Sequence, residues 1–200
     1  MSPSDQNIVH YKWVYKIKYH WDGTAGRCKA RLVAEGFHQR ASIDYNETFS
    51  PAIKPLTVCL LLSLAIWFSW HFRQLDVKNT FLHGHLTEKV YKKQLLGFIH
   101  PDFSRHVCKL KKVIYGLKQA PHAWFQSFSS FLLSHSFVRS HADPSIFIAH
   151  TYSHILVLLL YVDDIVLIGN SEAMLQKFIT LLLDEFAMKE PGDLYYGLGI

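Results

Sequence analysis

Three aspartates are the residues whose type and spacing best fit catalysis. Asp163 and Asp164 lie in the run Tyr161-Val162-Asp163-Asp164, between two purely apolar stretches, Ile155 to Leu160 and Ile165 to Ile168. Adjacent carboxylates in such a setting repel each other and lose hydration. An unpaired buried charge costs on the order of several kcal/mol. A divalent metal ion would offset that cost, and carboxylate oxygens suit Mg²⁺. An ordinary Asp-containing turn is the alternative.

The apolar stretches around this pair predict two strands of a hairpin, because they are short and rich in Ile, Val and Leu. A four-residue link would lift both carboxylates to the hairpin tip. Asp76 is the third carboxylate, placed after an apolar run and before a predicted helical turn. Three such groups suit a two-metal phosphoryl-transfer site, whose ions lie ~3.5–4 Å apart. Taken alone, Asp76 is equally well explained as a helix N-cap.

A second hairpin is predicted near the N-terminus. Tyr11, Trp13, Tyr15 and Ile17 alternate with lysines, and Asp22-Gly23 marks the turn. The returning strand alternates in the same way, with Arg27, Lys29 and Arg31 on one face. Two strands with basic outer faces suit an anionic ligand, although an edge hairpin kept soluble by lysines has the same pattern.

Three helices follow from periodicity and capping. Leu56 to Trp70 predicts a mostly buried helix, because it is apolar around its whole circumference. Pro121 suits the first turn of a helix whose core face carries Trp124, Phe128, Phe131 and Leu132. Asn170 or Ser171 caps a third helix, with its apolar side formed by Leu175, Phe178, Ile179, Leu182 and Phe186.

Composition and charge bound the function class. The chain has 200 residues, half of them hydrophobic, a formal charge of +5 and a pI near 9.0. Residues 1–40 carry seven Lys/Arg against three acids, and residues 89–118 carry eight against Asp102 alone. Residues 160–200 reverse the balance, with seven acids against two lysines. Basic surfaces beside an acidic centre favour a nucleic-acid partner, and solvated charged faces are the alternative.

Other site classes are disfavoured. The three cysteines, Cys28, Cys59 and Cys108, form no paired motif, and the thirteen histidines lack a matching ligand set at zinc spacing. Residues 1–10 are polar and do not read as a secretory signal. The strongest apolar run, Val58 to Trp70, is shorter than the ~20 residues that cross a bilayer. We therefore expect a soluble intracellular protein with no membrane partner; its compartment and oligomeric state do not follow from the sequence.

Several of these segments together resemble the reverse transcriptase of copia-type LTR retrotransposons, in the form common in plant genomes. The matches occur in the family's order along almost the whole chain. They are Tyr11 to Lys18, Cys28 to Phe37, Ile43 to Pro51, Arg73 to Gly84, Tyr115 to Pro121, Tyr161 to Asn170, Phe186 to Lys189 and Leu198 to Ile200.

The resemblance implies an α+β polymerase of the right-hand type, with fingers and palm, an antiparallel palm sheet with packed helices, and no thumb. Residues 1–200 would form a partial reverse transcriptase domain. The fingers would take roughly residues 10–70 and 85–125, and the palm roughly 71–84 and 126–200. Such a chain would be a piece of a polyprotein, because no thumb, connection or RNase H region follows.

The resemblance also implies the chemistry, which is two-metal nucleotidyl transfer from a dNTP to a primer 3′-hydroxyl on an RNA or DNA template. Asp76, Asp163 and Asp164, with a backbone oxygen near Val77, would hold two Mg²⁺ or Mn²⁺ ions. The dNTP would contact Lys29 and Arg31 at its triphosphate, Phe81 as the residue that excludes a ribose 2′-hydroxyl, and Gln119 at sugar and base. Tyr161, Val162 and Lys118 would contact template or primer. Taken singly, Phe81 fits a core aromatic equally well.

Some positions depart from the family pattern. Thr80 stands where Ala is usual, Cys59 and His122 where Arg is common, Leu95-Leu96 where two prolines usually stand, and Gly197 where Phe is usual. Two alternatives therefore accompany the polymerase hypothesis. One is a catalytically silent retrotransposon remnant that at most binds nucleic acid, and the other is an unrelated nuclease that uses the same three carboxylates.

Overall fold

The computed structural model describes residues 7–188, and its mixture of sheets and helices confirms the α+β class. The chain divides into two compact units. One takes the residues up to Phe49 together with Phe81–Trp124, and the other takes Ser50–Thr80 together with the residues from Phe125 onward. The segment 50–70, which the family resemblance assigned to the fingers, thus belongs to the second unit. Lys189, Gly197 and the motif Leu198 to Ile200 lie outside the described residues.

The second unit is built on a five-stranded antiparallel sheet. Its strands are β4 (His71–Asp76), β7 (Val138–Arg139), β8 (Ile146–His150), β9 (Ile155–Tyr161) and β10 (Asp164–Gly169). They lie in the order β4-β10-β9-β8-β7 across the sheet. The hairpin predicted around the Asp pair is therefore present as β9 and β10. Its turn is shorter than predicted, because Tyr161 pairs with Asp164 and leaves only Val162 and Asp163 as the link.

Both faces of this sheet are covered, which explains why its central strands are apolar at every position rather than at alternate ones. Helix α1 (Pro55–Trp67) packs through Val58 and Ala65 on the face that carries Val157, Leu159, Val166 and Ile168. On the opposite face, α3 (Glu172–Glu185) contacts β10, and Phe125 of α2 (Ala120–Ser134) meets Phe147 of β8. Side chains alternate along each strand, so each face receives its own apolar set.

Helix α1 corrects one expectation. The helix is present, but the prediction that it is mostly buried is wrong. Val58 and Ala65 are fully buried, while Leu60 is 58% and Trp67 82% exposed. The sheet covers one side of the helix only, and an apolar circumference in the sequence does not reveal how many sides will be covered.

Helix α3 agrees with its predicted cap and face. The Ser171 hydroxyl accepts a hydrogen bond from the Met174 amide at the first turn. Leu175, Ile179 and Leu182 are buried on the predicted side. At the same end of the helix, Glu172 accepts a hydrogen bond from Arg73 of β4 at 2.6 Å, which ties the helix start to the sheet edge.

The first unit contains two smaller sheets. Strands β1 (Ile8–Val9), β5 (Tyr91–Lys93) and β6 (Val107–Lys109) form one, in the order β1-β5-β6. Strands β2 (Tyr11–Tyr19) and β3 (Ala25–Ala34) form the predicted basic hairpin, with Gly23 at a φ of 83° in the turn. The hydrophobic core of this unit consists of Val9, Ala34, Val90, Val113, Leu117 and Ala120. Within residues 7–188, no helix combines the length and apolar character that crossing a bilayer requires.

Gly116 joins the end of β3 to the segment before α2. Its φ is 89°, which favours glycine, and the neighbouring Tyr115 carbonyl accepts a hydrogen bond from the Ala34 amide at 2.6 Å. A Cβ at position 116 would overlap the Ala34 carbonyl oxygen. The close approach of these two backbones therefore requires a residue without a side chain.

We expect Gly116→Ala to lower the free energy of unfolding by about 3 kcal/mol or more, because the backbone strain and the overlap with Ala34 add together. Gly23→Ala is the matched control. Its φ of 83° carries the same strain, but nothing lies within 4 Å of the added carbon. Urea denaturation of both variants measures the difference, and equal losses would show that the overlap is relieved at no cost.

Candidate active site

The tip of the β9-β10 hairpin has an unusual backbone. Val162 has a φ of 54°. A β-branched residue in the left-handed region is a genuine outlier, and such residues cost of order 1–3 kcal/mol. This conformation allows a two-residue turn, which sets Asp164 at the first position of β10. Tyr161 and Val162 are both exposed beside it.

Asp76 and Asp164 are directly paired across β4 and β10. Residues opposite each other in an antiparallel pair share a face and have Cβ atoms about 4.5–5.5 Å apart, so this pairing places two like charges side by side. Burial raises the pKa of Asp164, and the negative charges of Asp163 and Asp76 raise it further. The Gln74 side chain opposes this shift by donating a hydrogen bond to Asp164 Oδ1 at 3.3 Å.

Asp163 is exposed in the turn, and its main chain is tied to the end of β4. The Val77 amide donates to the Asp163 carbonyl at 2.9 Å. The next peptide is also held at both of its polar groups, since the Lys78 amide donates to Ala187 at 2.7 Å and the Val77 carbonyl accepts from the Thr80 hydroxyl at 2.8 Å. The backbone around all three carboxylates is thus fixed by hydrogen bonds between different elements.

The donor set fits a hard divalent cation. It consists of carboxylate and carbonyl oxygens, and the charges of Asp163 and Asp76 add to burial as causes of the raised pKa of Asp164. Among residues 7–188, however, no three His, Cys, Asp or Glu side chains are already arranged as a metal cage. Mg²⁺ usually takes one or two protein carboxylates and completes its shell with water and substrate phosphates, so a closed cage is not required.

The basic face of the β2-β3 hairpin lies in the first unit. Lys16 is opposite Lys29, and Lys18 is opposite Arg27. Like charges directly opposite each other destabilise a two-stranded ladder. A bound polyanion would remove that penalty, so the arrangement favours a phosphate-bearing ligand on this face.

Tyr115 connects two of the predicted nucleotide contacts. The Arg31 guanidinium carbon lies 5.0 Å from the centroid of the Tyr115 ring, and the Phe81 ring meets the same ring edge-on at 5.1 Å. Tyr115 belongs to one of the family motifs, but the motif assigned it no role. Sequence spacing could not indicate its contacts with Arg31 and Phe81, because the three residues come from separate segments of the chain.

Gln119, the predicted contact to the nucleotide's sugar and base, lies in a buried network of hydrogen bonds. Only 2% of it is exposed, its amide nitrogen donates to the Asp44 carbonyl at 2.8 Å, and its oxygen accepts from Gln39 at 2.9 Å. Lys118 lies beside this network, with its Nζ 5.0 Å from the Tyr45 ring centroid. In this arrangement Gln119 links the loop before α1 to the start of α2. A contact between Gln119 and a nucleotide stays a prediction.

The departures from the family pattern also have places in the structure. Cys59 is exposed on α1, and the His122 ring lies 2.6 Å from the Phe49 carbonyl through Nδ1. Thr80 is 3% exposed and uses its hydroxyl on Val77. Of these, Thr80 alone contacts a predicted metal-binding group.

The raised pKa of Asp164 gives a pH prediction. A carboxyl that holds its proton more tightly when folded adds stability below its ordinary pKa of about 3.9, and this contribution is lost as the pH rises through the raised value. At neutral pH the charged Asp164 therefore costs stability. We expect Asp164→Asn to raise the free energy of unfolding at pH 7 in the presence of a chelator, and the gain should shrink as the pH falls toward 4.

Denaturant titrations at the two pH values measure this effect. Asp184→Asn, an exposed substitution on α3, is the control and should change the free energy of unfolding by less than about 0.5 kcal/mol at both. A lower stability of Asp164→Asn at pH 7 would mean that the fold favours the charged carboxylate.

Comparison with known proteins gives matches along the whole chain. The model of the reverse transcriptase (RNA-dependent DNA polymerase) family matches residues 1–200. The retrovirus-related Pol polyprotein from transposon RE1 of Arabidopsis thaliana is 46% identical over 99% of this chain, and that from transposon TNT 1-94 of Nicotiana tabacum is 39% identical over 99%. The Ty1-ER2 Gag-Pol polyprotein of Saccharomyces cerevisiae is 27% identical over 92%.

The chain spans 14% of the RE1 relative and 15% of the TNT 1-94 relative. No solved structure gives a significant match. The family match over the whole length and the identities to the two plant polyproteins confirm the resemblance that the motifs indicated. The chain belongs to the reverse transcriptase (RNA-dependent DNA polymerase) family.

Proposed function

We propose that this chain catalyses template-directed DNA synthesis, extending a primer on an RNA or DNA template with dNTPs. The observation that carries the proposal is the direct pairing of Asp76 with Asp164 at the end of a sheet, with Asp163 in the adjacent turn. Membership in the reverse transcriptase family supplies the reaction class. In this proposal the second unit corresponds to the palm, with residues 50–70 included, and the first unit to the fingers.

Asp76, Asp163, Asp164 and the Val77 carbonyl would hold two Mg²⁺ or Mn²⁺ ions. When bound, such ions lower the pKa of the primer 3′-hydroxyl and stabilise charge on the pyrophosphate leaving group. The chain's own contribution is to hold Asp76 and Asp164 on one face, with Asp163 in the adjacent turn, before the substrates arrive. The β4-β10 ladder and the bonds of Val77 and Lys78 fix this arrangement, so little reorganisation is needed during the reaction.

The nucleotide contacts fall in the first unit. Lys29 and Arg31 of the basic hairpin would bind the triphosphate through charge-assisted hydrogen bonds. Phe81 would exclude a ribose 2′-hydroxyl, and Tyr115, which contacts both Arg31 and Phe81, would lie beside the nucleotide with them. Gln119 would act through Gln39 and Asp44, holding the loop that contains these two residues. Tyr161, Val162 and Lys118 remain the proposed contacts to template or primer.

Primer extension tests the proposal. The purified chain should lengthen a labelled primer on an RNA template with Mg²⁺ or Mn²⁺, and an Asp163→Asn/Asp164→Asn variant should lose at least about 10³-fold in rate, since both carboxylates act on the transition state. Asp184→Asn on α3 is the control for loss of an acidic side chain.

The outcome also separates the alternatives. Shortening of the labelled strand, lost in the double variant, would indicate a nuclease that uses the same carboxylates. Absence of any reaction from a folded chain that still binds nucleic acid would support the silent remnant, and that binding should weaken steeply with salt.

The triphosphate assignment gives a separate prediction. Lys29→Gln should raise the KM for dNTP about three- to tenfold with little change in kcat, because the lost contact is made equally in the ground state and in the transition state. The increase should shrink in high salt, which screens the wild-type lysine. Lys177→Gln, exposed on α3, should leave the KM unchanged. A loss of kcat of about three- to tenfold in Lys29→Gln would indicate instead that Lys29 contacts the reacting phosphate in the transition state.

A further inference from the structure

The Val77 carbonyl is constrained from three directions. The Val77 amide donates to the Asp163 carbonyl at 2.9 Å, and the Lys78 amide, in the same peptide as the Val77 carbonyl, donates to the Ala187 carbonyl at 2.7 Å. The Val77 carbonyl oxygen itself accepts from the Thr80 hydroxyl at 2.8 Å. Thr80 is buried at the start of the short helical turn Thr80–His83. Asn79, with a φ of 54°, makes the bend that brings Thr80 back beneath Val77.

We propose that Thr80 weakens cation binding at the Asp76-Asp164 site by donating a hydrogen bond to the Val77 carbonyl. This inference rests on the proposed function, in which that carbonyl is a metal ligand. A carbonyl oxygen has two lone pairs, and the Thr80 hydroxyl occupies one of them. The hydrogen bond also draws electron density from the oxygen, which weakens it as a ligand for a cation.

The direction of the effect follows from the other two hydrogen bonds. If Thr80 were needed to orient the peptide between Val77 and Lys78, removing its hydroxyl would weaken metal binding. The Lys78 amide still holds that peptide to Ala187, and the Val77 amide still holds the preceding one to Asp163. The peptide therefore keeps its orientation without Thr80, and the dominant consequence of losing the hydroxyl is a freed acceptor.

Three substitutions separate the hydroxyl from packing. Thr80→Val keeps the volume and removes the hydroxyl, Thr80→Ser keeps the hydroxyl and removes a methyl group, and Thr80→Ala removes both. We expect Thr80→Val and Thr80→Ala to tighten Mn²⁺ binding about two- to tenfold, which corresponds to the free energy of one hydrogen bond. Thr80→Ser should stay within about twofold of wild type.

Mn²⁺ binding is measured on the full chain by electron paramagnetic resonance of the free ion, without substrate or turnover. Thermal unfolding with chelator and with Mn²⁺ gives an independent readout, because a ligand that binds only the folded state raises the melting temperature. Thr80→Val and Thr80→Ala should melt at a lower temperature than wild type in chelator, where the Val77 carbonyl loses its partner, and should gain more on adding Mn²⁺. If Thr80→Val does not fold, the comparison of Thr80→Ala with Thr80→Ser decides the same question.

Two controls keep the failures apart. Unchanged or weaker Mn²⁺ binding in Thr80→Val, with binding lost in Asp164→Asn, would overturn the role of Thr80 and leave the metal site standing. Mn²⁺ binding by Thr80→Ser that matches Thr80→Val would also overturn it, because the methyl group would then be responsible. Mn²⁺ binding that is unaffected by Asp164→Asn would refute the proposed metal site, and the Thr80 inference would fall with it.

Discussion

The register between β4 and β10 is the constraint on which the candidate site depends. It places Asp164 opposite Asp76 and turns both carboxylates to the same face. A slip by one residue would turn one of them toward the opposite face, where α3 contacts β10. The register is held by apolar side chains on both faces, with Ile165 and Leu167 on one and Val166 and Ile168 on the other. The core thereby keeps together two charges that repel each other.

The strained turn at Val162 follows from the same register. If β9 and β10 are paired up to Tyr161 and Asp164, only two residues remain to reverse the chain. A two-residue turn needs at least one positive φ, and glycine or asparagine would supply it at less cost. Val162 accepts the strain because the paired strands on either side determine its conformation. Asp163 is then held by its carbonyl to Val77, which fixes the tip as part of the sheet end.

Local patterns predicted the elements well, and tertiary relations account for what they missed. Alternation and apolar runs located both hairpins and the capped helix at Ser171. The neighbourhood of β4 and β10 does not follow from periodicity, since the strands lie some ninety residues apart. Asp76 was joined to the pair by its residue type, as a third carboxylate, and by the family resemblance. The exposed side of α1, the buried amide of Gln119 and the contacts of Tyr115 all depend on what packs against them, which composition and spacing do not record.

Each unit gathers like charges, with opposite signs in the two cases. The second unit pairs carboxylates across β4 and β10, while the first pairs Lys16 with Lys29 and Lys18 with Arg27 across β2 and β3. Like charges placed opposite each other lower the stability of the free chain, and in the proposed function a ligand of opposite charge would relieve each set, a cation in one case and a polyphosphate in the other. The repulsion present before binding becomes part of the binding free energy afterwards. Substitutions that neutralise either set should therefore stabilise the fold and weaken ligand binding together, which separates these charges from ordinary surface residues.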